Sequence, residues 1–96
     1  MLAALTPSRR AGSGPPLVLL HGFGETWRSW LPVLPALERS RDVLALTLPG
    51  HAGGPPLDDP PTAAALLDGI ERALDDAGLD LPHVAGNSLG GHLALR

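Results

Sequence analysis

Cysteine is absent from the 96 residues, which excludes disulfides, thiolate metal sites and a cysteine nucleophile. Lysine is absent too, every basic residue other than histidine being arginine, so no Schiff-base mechanism is available. Charge is sparse, with seven arginines against ten acids and a formal net charge of −3. Arg9-Arg10 and the Arg39/Arg41 pair are too scattered to form a basic stripe, and nothing supports a nucleic-acid partner. No apolar run approaches the length of a membrane span. Met1-Leu2-Ala3-Ala4-Leu5 is cut off by Thr6-Pro7, and arginines follow this run instead of preceding it, unlike a secretory signal. The expectation is a soluble cytoplasmic protein with no membrane partner and no cofactor.

What the chain does contain is glycine and proline, 12 and 11 residues, clustered between apolar runs as loops that punctuate a fold. A chain of this length makes at most one small domain, burying roughly two thirds of its unfolded surface. Residues 1–16, ending in Ala11-Gly12-Ser13-Gly14-Pro15-Pro16, read as a flexible lead-in to a domain over 17–96. Leu17-Val18-Leu19-Leu20 is apolar at every position, as a strand covered by helices on both faces requires. From Glu25 to Ser40, Trp27, Trp30, Leu31, Leu34 and Leu37 recur at helical spacing, but Pro35 should bend or shorten the element. Asp42 to Leu48 reads as a second buried strand closed by Pro49-Gly50-His51, and 51–61 as a loop.

Thr62 opens the best helix, which runs to about Ala77 and stops at Gly78. Leu66, Leu67, Ile70, Ala73, Leu74 and Ala77 share one face, with Thr62 as N-cap. His83-Val84-Ala85 is a short third strand, and a third helix starts at Ser88. Strand and helix alternate, which predicts an α/β fold with a mostly parallel sheet and right-handed crossovers.

Two segments carry chemistry. Gly86-Asn87-Ser88-Leu89-Gly90 follows a strand and precedes a helix, the context of a nucleophile elbow in which a serine hydroxyl stands clear of the sheet. Such a turn needs small neighbours, and Gly86 and Gly90 supply them. The pattern is short enough to recur by chance, so its context is what gives it weight. His21-Gly22-Phe23-Gly24 directly follows the first strand. Acyl transfer through a tetrahedral intermediate needs two N–H donors at the developing oxyanion. Leu89, the residue after the serine, should give one, and Phe23 the other; taken alone, this loop also reads as a glycine-rich turn with a purely geometric role.

With Leu48-Pro49-Gly50-His51 between them, these motifs make residues 15 to 96 resemble the α/β-hydrolase superfamily. The resemblance implies the N-terminal part of a three-layer α/β/α fold with a mostly parallel sheet. It implies Ser88 as nucleophile and Phe23 and Leu89 as oxyanion donors, supported by His21, Gly22, Gly86, Asn87 and Gly90. Thr47 stands where this family often has aspartate, and Ala52 where it has glycine. A serine at the elbow places the chain with esterases, thioesterases, acyltransferases and their kin, not with the relatives that open epoxides from an aspartate.

A serine nucleophile needs a histidine to accept its proton and an acid to orient that histidine, and in this fold both follow the serine. Only eight residues follow Ser88, with one histidine, His92, and no acid. His92 lies one helical turn on, where relatives place packing residues; His21, His51 and His83 precede the serine. The histidine spacing suits no metal, and Asp58, Asp59, Asp75 and Asp76 read as solvated runs. Trp27 and Trp30 read first as packing on the sheet, with a substrate-pocket role for one of them or Phe23 as the alternative.

The expected function is a serine hydrolase of ester, thioester or related acyl substrates, present as an N-terminal portion without its triad acid and histidine. The alternative is a non-catalytic remnant, or a partner subunit completed by another chain. The coding sequence beyond Arg96 discriminates between them.

Overall fold

The computed structural model describes residues 8–56 and 62–95. Met1 to Leu5 and the Asp58-Asp59 pair lie outside the described residues. Four strands form one sheet: β1 (Ser8–Ala11), β2 (Pro16–Leu20), β3 (Asp42–Leu46) and β4 (His83–Gly86), in the order β1-β3-β2-β4. β2 pairs parallel with both β3 and β4, whereas β1 runs antiparallel to β3. The helices are α1 (Leu34–Glu38), α2 (Ala63–Asp76) and α3 (Leu89–Ala94), with a 3-10 turn at Trp27–Trp30.

The uniform apolarity of β2 and β3 divides by alternation into two cores. Val18, Leu20, Leu44 and Leu46 face α2 and α3 through Leu66, Ile70 and Leu93. Leu17, Leu19, Val43 and Ala45 face the opposite layer through Trp27 and Leu34, with Trp30 packed at its margin. The three-layer α/β/α arrangement expected from the sequence is therefore present.

The segment from Glu25 to Ser40 is not one helix. Pro35 sits in the first turn of α1, where its missing N–H is harmless, so the helix begins there and the residues before it form the 3-10 turn. Helix α2 follows its reading closely, with the Thr62 hydroxyl accepting from Ala65 N–H. Its Gly69 lies against Pro49, so closely that a Cβ there would collide with the proline ring.

Strand β1 departs from the expected flexible lead-in. Arg9 forms a two-point pair with Glu38 on one side of the sheet. Arg10 pairs with Asp42 and donates to Ala77 O at 2.8 Å on the other. These contacts hold a polar, four-residue edge strand that no apolar alternation announces.

Candidate active site

β2 is the central parallel strand of this site. The loop after β2 leads to the α1 layer, and the turn after β4, its neighbour, leads to α3 in the opposite layer. Two adjacent parallel strands whose connections leave to opposite faces open a crevice at their carboxyl ends. His21 to Glu25 forms one wall of that crevice and Asn87 to Gly90 the other.

The turn between β4 and α3 is strained. Ser88 has φ 55° and ψ −114°, the one positive φ outside glycine among the described residues. Such a conformation costs on the order of 1–3 kcal/mol and persists only where its surroundings enforce it. The surroundings here are backbone. Asn87 N–H donates to Leu20 O at 3.1 Å, and Gly90 N–H donates to His21 O and Asn87 O. A Cβ on Gly86 would collide with the Gly90 carbonyl, and one on Gly90 with the Leu20 carbonyl. Ser88 stands at the N-cap of α3 without a capping hydrogen bond from its side chain, and the residue is exposed. Its hydroxyl is not consumed by the helix it begins.

No hydrogen bond engages the N–H of Phe23 or Leu89 among the described residues. Gly22 N–H, by contrast, donates to Glu25 Oε1 at 3.1 Å, and Glu25 N–H returns to Gly22 O. This closed turn brackets Phe23 and Gly24 without a bond to the N–H of either. The two N–H groups expected to face an oxyanion are thus left open, whereas those of Gly22 and Gly90 beside them are bonded.

His21 is fully buried and joins this loop to the one after β3. Leu48 N–H donates to its Nε2 at 2.9 Å, so Nε2 accepts and the ring proton resides on Nδ1, which donates to Gly22 O at 2.7 Å. Burial pushes its pKa below the ordinary 6.5, against the opposing pull of the Gly22 carbonyl. With both nitrogens occupied, His21 is a neutral tie and not a base. Thr47, buried beside it, accepts Trp27 N–H at 3.2 Å, so the departure from aspartate leaves a hydroxyl that anchors the 3-10 turn.

His51, read only as part of a loop, packs edge-on against His21 and Phe23 with ring centroids 4.9 and 5.7 Å away. Its sequence signal was the Pro49-Gly50-His51 turn, whose closure over the sheet end no local pattern discloses. Trp27 packs in the core, as expected. Trp30 borders a pocket of about 300 Å³ with Glu25, Ser29, Gly86 and Asn87. A cavity of about 370 Å³ opens elsewhere, between α2 and the β1–β3 edge, and none of its lining residues belongs to the elbow or the Phe23 loop. His92 is exposed on α3, its N–H donating to Ser88 O at 3.0 Å. His83 lies at the other end of β4, against Arg41. Among the described residues, no group of three or more histidines and acids is placed to hold a metal ion.

Sheet order, paired layers and a strained serine between them define an α/β-hydrolase core, and residues 17–96 match the alpha/beta hydrolase family. The chain belongs to that family. Over 87 residues it is 34% identical to the dihydrolipoyllysine-residue acetyltransferase component of the acetoin cleaving system of Cupriavidus necator, covering 91% of this chain and 23% of that protein. A soluble epoxide hydrolase of Corynebacterium sp. (strain C12) is likewise 34% identical over 87 residues, covering 88% of this chain and 29% of its own length. The structure of a meta-cleavage product hydrolase from Pseudomonas fluorescens IP01 superposes with a TM-score of 0.85 at 27% identity, over 92% of this chain and 34% of that one. Hydrolases are therefore among its relatives, and the chain spans between about a quarter and a third of each protein's length. No helix among the described residues is long and apolar enough to cross a membrane.

Proposed function

We propose that this chain carries the nucleophile and oxyanion loop of a serine hydrolase acting on an ester, thioester or related small acyl substrate. The observation behind this reading is the strained, uncapped Ser88 at the end of β4, seated directly on the loop after β2. In the reaction, Ser88 Oγ attacks the acyl carbonyl and expels the alcohol or thiol. The carbonyl oxygen, now an oxyanion, is held by Phe23 and Leu89 N–H, and water later releases the acid from the acyl-enzyme. The proton acceptor and its orienting acid are proposed to come from beyond these residues, because in this fold both follow the nucleophile along the chain; His21, with both nitrogens occupied, is not a candidate.

In subtilisin, the handiest measured case, loss of the triad histidine costs about a million-fold in turnover, and the oxyanion hole with binding retains about 10³–10⁴-fold over water. The chain alone is therefore expected to acylate slowly with p-nitrophenyl acetate at mildly alkaline pH and not to turn over. Ser88→Ala should remove that acylation. Sustained turnover, or acylation that survives Ser88→Ala, would overturn the reading.

A further inference from the structure

Phe23 has an awkward task in this scheme. Its N–H must be aimed at the oxyanion, yet it lies between Gly22 and Gly24, and Gly24 adopts φ 80° with open space around it. Glycine on both sides leaves the backbone with many alternatives. The Phe23 side chain is 79% exposed, so the core does not hold it. What touches its ring is His51, edge-on at 5.7 Å and 85° between planes.

His51 is itself firmly seated. Its N–H donates to Leu48 O at 3.1 Å, and its carbonyl accepts Gly54 N–H at 2.9 Å. Gly50 N–H closes the same loop on Pro55 O at 2.8 Å. The ring lies 3.2 Å from Pro49 O through Nδ1; a carbonyl only accepts, so Nδ1 carries the proton. Nε2 is then a buried lone pair with no partner among the described residues. An unpartnered buried acceptor is normally avoided, and here it accompanies a ring wedged between His21 and Phe23.

We propose that His51 is a positioning residue: its ring forms the prop that sets Phe23, and with it the oxyanion donor, in place. This rests on the functional reading above, since without an oxyanion the aim of Phe23 N–H has no purpose. His51 touches no reacting atom. It acts through ring contact, an interaction whose typical strength corresponds to roughly a two- to tenfold effect.

The test compares the whole chain with His51→Ala and His51→Phe, reading Ser88 acylation by p-nitrophenyl acetate and the backbone amide resonances. His51→Ala should slow acylation roughly two- to tenfold and shift the Phe23 amide, while the α2 amides stay in place and show an intact fold. His51→Phe keeps a ring without a proton-accepting nitrogen and should restore both. A Phe23 amide unmoved in His51→Ala overturns the proposal, as does a His51→Phe no better than His51→Ala, which would show that the ring alone does not set Phe23. Acylation that persists in Ser88→Ala sinks the functional reading itself, while the Phe23 amide still reports on the prop.

Discussion

At the residue scale, two side chains are held in unusual states by backbone. Ser88 is strained at φ 55°, and glycine adopts that conformation freely. Ser88→Gly should therefore stabilise the fold by about 1 kcal/mol while abolishing acylation, as chemical denaturation and the ester assay would show together. Equal or lower stability would mean the turn is not strained. His21 is held neutral, its pKa below 6.5 through burial. The unfolded chain then takes up a proton before the folded one does, so stability is level above that pH and falls as pH drops below it. His21→Gln, which offers Leu48 N–H an acceptor that does not titrate, should flatten that fall. The Glu38 and Asp42 carboxylates, held low by Arg9 and Arg10, act in a separate, more acidic window. The tight turn at Ser88 was legible because close backbone packing on either side of it admits only glycine at Gly86 and Gly90. The neutral tie of His21 was not, because it depends on Leu48 N–H, 27 residues away.

At the element scale, legibility followed the length and regularity of each signal. β2, β3 and α2 were clear because uniform apolarity and a 3.6-residue stripe each persist long enough to be distinctive. The segment from Glu25 to Ser40 shows a pattern yielding to local stereochemistry, where Pro35 sets the start of α1 whatever the spacing of Trp27 and Trp30. β1 stayed hidden because pairing with β3 and ion pairs to distant residues hold it, not a pattern within its four residues. Gly69 is the instructive case in α2. Intrinsic propensity favours alanine over glycine mid-helix by about 1 kcal/mol. Here the added methyl would meet the Pro49 ring, and overpacking costs about 1–3 kcal/mol. Gly69→Ala is thus expected to lower the melting temperature; a rise would show that α2 does not press on the Pro49 turn.

At the scale of the whole molecule, the sheet carries its site on an edge. β4 is bonded to β2 on one side only among the described residues, and Val84 on it is 41% exposed. Leu81, two residues before it, and Leu95, at the C-cap of α3, are still more exposed. A short, partly apolar edge strand invites pairing with another chain. The isolated polypeptide should therefore associate as its concentration rises, which sedimentation velocity would detect. A monodisperse monomer with one sharp thermal transition would contradict this. The class of fold was readable throughout, whereas the substrate was not.

A nucleophile mounted at Ser88, as proposed, is tested by locating the acyl group after a single exposure to p-nitrophenyl acetate. Peptide mapping by mass spectrometry compares Ser88 with Ser8, Ser13, Ser29 and Ser40 in the same molecule. The adduct is expected at Ser88, with the other serines unmodified over the same time. Acetylation spread evenly across the serines, or absent from Ser88, would contradict it.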